Sequence, residues 1–152
     1  MASDFSAKIK KFSDKSKLSV RTIMRKVALD AYTGVVRKSP VDTGRFRGNW
    51  NVALAVPDTS TNDKKPHPKR KPGERVPKRP RQDGDGWARA IAALAGAKPG
   101  ITIFITNNLP YAVYLENGSS RQAPAGMLGI TVEEVKRSIP NIVIQARIQY
   151  GV

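Results

Sequence analysis

The sequence contains no cysteine and only one histidine, His67, which stands between two prolines. A chain without cysteine has no disulfide framework, thiolate metal site or cysteine nucleophile. A zinc site built on imidazoles would need more histidines, and the acidic side chains that can replace histidine are scarce. The sequence therefore predicts that the protein holds no metal and no cofactor.

Acidic residues and long apolar runs are also in short supply. The chain has 12 Asp and Glu against 27 Lys and Arg, a formal net charge of +15, which predicts a polyanionic partner, either nucleic acid or an acidic protein surface. No apolar run approaches the length that crosses a bilayer and the N-terminus lacks a secretion signal, so a soluble protein without membrane contact is expected. A length of 152 residues predicts a single domain, residues 1–152.

The first half of the chain has two clear periodic patterns. Apolar residues at helical spacing over residues 4–38 predict one long helix, or two helices with a hinge at 16–19. Its basic side is interpreted as a solvated surface in preference to a DNA-binding face, because outer helix faces are normally charged. Alternation over 50–56 predicts a strand in which Trp50 packs as the aromatic anchor of the sheet against the long helix.

The second half is predicted to hold a short helix, a strand and a further helix. The helix spans 87–97, with Asp85 as its cap and with Ile91 and Leu94 inward. The strand spans 101–106 and is apolar enough to be central or buried on both faces. A helix over 130–139 is interrupted at Pro140, and residues 141–150 fit a strand and a helix equally well.

Residues 57–86 are predicted to form a mobile, basic, proline-rich arm. Within residues 64–81, nine basic residues stand against one acidic residue, Glu74, for a net charge of +8, and five prolines interrupt them. Proline favours extended backbone and like charges repel, so this segment cannot close a core of its own. Contact with nucleic-acid phosphates and contact with an acidic protein both remain open. The basic residues concerned are Lys64, Lys65, Lys69, Arg70, Lys71, Arg75, Lys78, Arg79 and Arg81.

The sequence gives little support for catalysis. Asp42-Thr43-Gly44 is similar to the aspartic-protease triplet, but those enzymes use two such carboxylates and the chain has no second triplet. Adjacent Glu133 and Glu134 point to different faces of a helix, so the helix dipole explains them better than paired acid–base chemistry. The glycine-containing turns lack the spacing of nucleotide-binding loops. We therefore expect that the protein is not an enzyme.

Two segments become informative when they are taken together. Residues 38–50, the turn segment, read Lys-Ser-Pro-Val-Asp-Thr-Gly-Arg-Phe-Arg-Gly-Asn-Trp. Residues 111–127, the loop segment, begin Tyr-Ala-Val-Tyr-Leu-Glu-Asn-Gly, end Gln-Ala-Pro-Ala-Gly-Met, and by composition form an ordered loop rather than a core element. This pair resembles the signature of the small tail-completion or neck components of long-tailed bacteriophages. In that family a Pro-hydrophobic-Asp-Thr-Gly-basic turn closes a long helix, and a Tyr-Ala-x-x-Leu-Glu-x-Gly segment leads into a Pro-x-Gly-Met loop and a C-terminal helix.

The resemblance implies an α+β fold, in which a long N-terminal helix and a C-terminal helix pack on a small antiparallel or mixed sheet. It favours helix over strand for residues 141–150. It implies a structural virion protein at the head–tail junction or the top of the tail, made in the host cytoplasm. There it would complete the tail or join tail to head, with DNA passing through its ring.

Partners and contact residues follow from the same resemblance. The implied partners are further copies in a hexameric or higher ring, neighbouring neck or tail proteins and packaged double-stranded DNA. Structural turn residues would be Pro40, Asp42, Gly44 and Trp50. Subunit contacts would be Glu116, Asn117, Arg121 and Pro124, with Tyr111 and Tyr114 in the core. The alternative hypothesis is a small basic nucleic-acid-binding protein that acts in the cell.

Overall fold

The computed structural model describes residues 2–42, 44–62 and 84–152. The α+β prediction, with a long N-terminal helix, a small sheet and a C-terminal helix, is confirmed, and of the two alternatives for the sheet, antiparallel or mixed, the structure shows antiparallel. The elements of the described residues are α1 (Ala2–Lys38), α2 (Arg45–Gly48), β1 (Trp50–Leu54), α3 (Gly84–Ala95), β2 (Ile103–Asn107), α4 (Ala112–Glu116) and α5 (Leu128–Tyr150).

The N-terminal helix α1 is continuous over 37 residues. Of the two alternatives, one helix or two with a hinge at 16–19, the structure shows the first. The Ser16 hydroxyl donates to the Phe12 carbonyl 2.9 Å away, four residues earlier, so this serine bonds within the helix and does not break it.

The sheet consists of β1 and β2, paired antiparallel with Trp50 opposite Asn107 and Leu54 opposite Ile103. The first strand stops two residues earlier than predicted because Ala55 adopts a left-handed φ of 65°, which an extended strand does not allow. The prediction that the second strand is central or buried on both faces is wrong for the described residues. In the described chain β2 pairs with β1 alone, and all five of its residues are only half-buried.

The core gathers around Trp50, which is 4% exposed and confirms the predicted aromatic anchor. Its indole N–H donates to the Ser39 hydroxyl at the end of α1, 2.8 Å away, and the Phe46 ring meets it edge-on at 6.0 Å. The helix that contacts β1 most is α3 rather than α1. The buried partners in this core are Tyr32, Val35, Val36, Ala90, Leu109, Ala123 and Met127.

Predictions for α3 are right in part. Leu94 is buried as expected, but Ile91 is 47% exposed. The helix buries Ala90 and Leu94, and Ala97 is buried just after the helix ends. The helix begins at Gly84, so Asp85 lies in its first turn and the prediction that Asp85 precedes and caps the helix is wrong.

The C-terminal helix α5 runs antiparallel to α1 and passes through Pro140 without interruption, so the predicted break is wrong. Proline in a helix interior costs about 3 kcal/mol because one backbone hydrogen bond is lost and the ring crowds the preceding turn. Thr131 before the proline and Ile142 and Ala146 after it are all buried, so packing holds the helix on both sides. Residues 141–150 are helical, as the resemblance favoured.

Candidate functional site

The turn segment and the loop segment, which are distant in sequence, meet in the structure. The backbone N–H of Val41 donates to the Gln122 side-chain oxygen at 2.9 Å, and the Gln122 amide donates back to the Val41 carbonyl at 3.1 Å. The rings of Phe46 and Tyr111 lie 5.9 Å apart. The two halves of the sequence signature therefore form one continuous structural unit.

The turn segment closes the C-terminal end of α1. Ser39 is buried, and its hydroxyl donates to the Val35 carbonyl at 2.6 Å while it accepts the Trp50 N–H. The buried guanidinium of Arg47 donates to the carbonyls of Arg37 at 3.2 Å and Ser39 at 2.8 Å. Because the last carbonyls of a helix have no partner within it, these bonds stabilise the helix end.

The predicted turn residues occupy different environments. Pro40 is buried, Asp42 is exposed, and Gly44 has a φ of 81°, the left-handed conformation that glycine adopts without strain. The chain reverses here and enters α2, which places Trp50 at the start of β1. The carboxylate of Asp42 thus lies on the outside of the turn.

In the loop segment, the Glu116 carboxylate caps the N-terminus of α5. It accepts hydrogen bonds from the backbone N–H groups of Met127 (2.8 Å), Leu128 (2.9 and 3.1 Å) and Gly129 (3.1 Å). The first N–H groups of a helix have no intrahelical acceptor, and the helix dipole favours a negative charge beside them. Burial alone raises the pKa of Glu116, but the hydrogen bonds from Leu128, Met127 and Gly129 outweigh it, and the pKa lies below its ordinary value.

Two glycines allow the loop to close on Glu116. Gly118 has a φ of 84°, and a Cβ there would overlap the Pro124 carbonyl oxygen. Gly126 has a φ of 74°, and a Cβ there would overlap the Glu116 carbonyl oxygen. Met127, which follows, is fully buried. The Glu-x-Gly and Pro-x-Gly-Met patterns therefore describe one closed loop, in which each glycine permits a close backbone contact.

The predicted subunit contacts in the loop segment divide into two kinds. Asn117, Arg121 and Pro124 are exposed, whereas Glu116 is half-buried and bound to α5. The first five residues after Tyr111 form the short helix α4, which the composition-based prediction of a loop missed. Tyr114 is 69% exposed, so the prediction that it lies in the core is wrong, and Tyr111 lies at the surface with its ring against Phe46.

An asparagine network, which the sequence reasoning missed, holds the start of the predicted arm. The Asn62 backbone N–H donates to the Asn49 side-chain oxygen at 2.6 Å, and the Asn62 amide donates to Asn51 Oδ1 at 2.9 Å. The Asn108 amide donates to the carbonyls of Asp58 at 2.8 Å and Ser60 at 3.0 Å. The available signal was the pair of asparagines that flank Trp50 at alternating positions, since buried polar side chains need partners.

The structure describes the predicted arm, residues 57–86, only at its two ends. Residues 57–62 are held by the asparagine network, and residues 84–86 belong to α3. The Gly48 carbonyl accepts from the Asn62 amide at 3.4 Å and from the guanidinium of Arg89, three residues after the arm, at 3.2 Å. All nine basic residues of the arm lie outside the described residues.

Two arginines on the basic side of α1 form hydrogen bonds to the C-terminal end of α3. Arg21 donates to the Ala95 carbonyl at 2.7 Å, and Arg25 donates to the Leu94 carbonyl at 2.8 Å and to that of Ala95. They cap the C-terminal end of α3 and join it to α1.

Across the described parts of the chain, no cluster of acidic or histidine side chains could hold a metal ion, and no helix is long and apolar enough to span a membrane.

Comparison with known proteins identifies a family for the chain. No curated protein and no solved structure matches the chain. The model of the HK97-gp10-like family, described as "Bacteriophage HK97-gp10, putative tail-component", matches residues 3–118. The matched range runs from α1 through α4 and contains the whole turn segment and the loop segment as far as Gly118. The match confirms the resemblance to phage tail components, and the chain belongs to the HK97-gp10-like family.

Proposed function

We propose that the protein is a structural component of a phage virion that completes the tail or joins it to the head, as one subunit of a homo-oligomeric ring around the DNA channel. The observation that carries the proposal is the family match over residues 3–118, which includes the turn segment and its contact partner Tyr111. A tail component acts in the virion.

The hydrogen bonds of the polar residues in the turn and loop segments support a structural role over a catalytic one. The Glu116 carboxylate, the Ser39 hydroxyl and the Arg47 guanidinium are all directed at groups of the same chain. Catalytic groups must instead reach a substrate atom within hydrogen-bond distance. These side chains hold helix ends in place, which is what a building block of an assembly requires.

The exposed tip of the loop segment is our proposed subunit contact. Asn117, Arg121 and Pro124 lie on a base that the Glu116 hydrogen bonds and the Val41–Gln122 pair hold in position. A contact surface on a rigid base loses little conformational entropy on binding. In this proposal Glu116 acts within the subunit and sets the position of its exposed neighbours.

We further propose that the basic residues of segment 64–81 contact packaged DNA in the channel or an acidic neighbouring ring. The described residues on either side of this segment, Asn62 and Arg89, both donate to the Gly48 carbonyl, so the segment is bounded on both sides by residues that contact the same carbonyl at the end of α2. Lys and Arg bind phosphates without reading base sequence, which suits DNA that passes through a channel.

The test of the proposed function is a chain-terminating mutation in this gene in its own phage, complemented in trans by the wild-type chain. We expect filled heads and separate tails that join only when the chain is supplied, with the protein present in purified virions. Normal particles without the protein would refute the proposal. Salt-dependent duplex binding by the isolated monomer, together with absence from virions, would favour the cellular nucleic-acid-binding alternative.

The arm needs its own pair of variants. In one, the nine basic residues become Gln or Ser while the prolines stay; in the other, the five prolines become Ala while the basic residues stay. Loss of head–tail joining in the first variant alone would show that charge is the functional property. Normal joining in the first variant would rule out the proposed contact.

A further inference from the structure

The N-terminal end of α1 extends beyond the helix that packs against it. The last turn of α5 lies beside Thr22, whose hydroxyl is 2.9 Å from that of Tyr150. A Cβ added to Gly151 would lie 3.7 Å from the Lys15 amine. Residues 4–14 of α1 therefore continue past the end of α5 for roughly 15 Å at 1.5 Å per residue.

This projecting part of α1 carries an uncovered apolar stripe. Phe5, Ile9 and Phe12 are 68%, 54% and 59% exposed and follow the spacing i, i+4, i+7, so they lie on one side of the helix. The same side continues to Lys15, whose amine lies near Gly151 at the end of α5, and to Ser19, which is buried. The stripe thus prolongs a packed face of α1 into a region where α5 has ended.

The helix is expected to stay formed in this region without a partner. An isolated helix of this length would be marginal because nucleation is unfavourable, but the packed part of α1 supplies the nucleus and only propagation is needed. A formed helix that presents large apolar side chains at this spacing matches the way amphipathic helices enter grooves on other proteins.

The exposed apolar area is too small for the stripes of two copies to form a stable interface with each other. Three side chains of this size with more than half of each exposed present on the order of 300 Å². Two copies would bury about 600 Å² in total, against ~1,200 Å² for the smallest standard interfaces. A groove covers a helix on three sides and so gains area that a second helix cannot provide.

Charge argues for an acidic partner. Residues 4–17 carry five lysines against two aspartates, a net charge of +3, and the Lys8 amine is 2.8 Å from the Asp4 carboxylate. Two copies of this segment placed face to face would bring their positive charges together and repel each other. Acidic groups at the rim of a groove would attract the lysines while the apolar floor takes the stripe.

We propose that residues 4–17 form a docking helix that inserts Phe5, Ile9 and Phe12 into an apolar groove rimmed with carboxylates on a neighbouring acidic protein. The proposal rests on the proposed function only in placing that neighbour in the same virion. The lysine stems cover the edges of the groove and their amines meet the carboxylates.

The test places the photo-crosslinker p-benzoylphenylalanine at Phe12 of the full chain, in cells that make the complete set of phage proteins. The control has the crosslinker at Asp14, which lies about 200° around the helix from Phe12. We expect position 12 to give an adduct with one acidic protein and position 14 to give little or none. Equal yields from both positions, no adduct, or an adduct with a neutral or basic protein would overturn the proposal.

The purified partner then gives the affinity. Phe12→Ser and Ile9→Ser should each weaken binding at least tenfold while circular dichroism stays unchanged, and Asp14→Ser should leave affinity within a few-fold. Binding should also weaken as NaCl rises, because the charges at the groove rim are screened. Unchanged affinity in both stripe variants would refute the docking role.

Two other binding partners of the apolar stripe, a second copy of the chain and a membrane, would give different experimental results. An adduct with a second copy, together with a lower mass for Phe12→Ser in sedimentation, would assign the stripe to self-association. Flotation with phosphatidylserine vesicles that Phe12→Ser abolishes would assign it to a membrane surface. Either result overturns the proposal. An acidic partner absent from virions would leave the docking helix standing and count against the proposed function, so the two failures are distinguishable.

Discussion

The two ends of α1 use their side chains in opposite ways. At the C-terminal end, the Ser39 hydroxyl, the Arg47 guanidinium and the Glu116 carboxylate are all hydrogen-bonded within the chain. At the N-terminal end, Phe5 and Phe12 are more than half exposed beyond the last turn of α5. The two signature segments therefore lie at the C-terminal end of α1, where their polar side chains are hydrogen-bonded within the chain. The apolar surface available to a partner lies at the N-terminal end, which neither signature segment includes.

The largest expected effect comes from the glycines of the loop segment. Gly118→Ala or Gly126→Ala should lower the free energy of unfolding by on the order of 3 kcal/mol, because a left-handed backbone is strained and the Cβ overlaps a carbonyl oxygen. The control is Gly100→Ala, where φ is 87° but nothing lies within 4 Å, so about 1 kcal/mol is expected. Urea unfolding measures all three, and equal losses would contradict the close-contact explanation.

Glu116→Gln should lower the free energy of unfolding by about 1–2 kcal/mol, because a neutral amide oxygen accepts more weakly than a carboxylate beside a helix N-terminus. The control Glu133→Gln removes an exposed pair with Lys136 and should cost less than about 0.5 kcal/mol. If both variants unfold at the same urea concentration, the cap does not stabilise α5.

The same carboxylate predicts a pH dependence. The folded-state pKa of Glu116 lies below its ordinary value, so its stabilisation is complete above the ordinary value and is lost as pH falls through the lower folded-state pKa. The wild-type advantage over Glu116→Gln should therefore be constant near neutral pH and shrink in acid. Urea midpoints measured across the acid range test this, and an advantage that grows in acid would contradict the assigned direction.

Gln122→Ala should have a smaller effect, about 0.5–1 kcal/mol, because it removes two hydrogen bonds to Val41 at a solvent-exposed site. Gln145→Ala, on the exposed side of α5, is a matched control with no tertiary role expected. Thermal unfolding distinguishes the two, and a neutral Gln122→Ala would show that the segments are joined by packing alone.

The smallest effect is expected at the exposed end of α1. Phe12→Ser should change the free energy of unfolding by no more than about 0.5 kcal/mol, since the side chain is mostly in solvent. A loss comparable to that of Glu116→Gln would mean that the stripe is part of the core, and the contrast between the two ends of α1 would fail.

The elements that could be predicted from the sequence are those with strong local patterns. Helical spacing indicated α1, alternation indicated β1, and Trp50 was recognisable as the large aromatic residue of its strand. Local patterns failed where tertiary contacts decide. Packing against α1 carries α5 through Pro140, and Ala55 ends β1 by a backbone rotation that alanine does not signal.

The site was predictable as two segments but not as one structure. Periodicity and composition cannot show that Gln122 reaches Val41, or that Glu116 binds the N-terminus of α5. The glycines could be read as turns, whereas the contacts that make them necessary, to the carbonyls of Pro124 and Glu116, are separated from them by six and ten residues along the chain. The asparagine network was not predicted because polar residues in strands and connections are normally solvent-exposed, and sequence patterns do not show which of them bond to one another.

Hydrogen–deuterium exchange of the chain, free and in the assembled particle, tests the contrast between the ends of α1 most directly. The amides of Met127, Leu128 and Gly129 should be protected in the free chain and unchanged on assembly, because Glu116 already binds them. The amides of residues 4–14 should exchange faster in the free chain than those of the packed part of α1, because this end of the helix frays more readily without a partner, and should become more strongly protected on assembly. Protection of 127–129 that appears only on assembly, with residues 4–14 unchanged, would contradict the account.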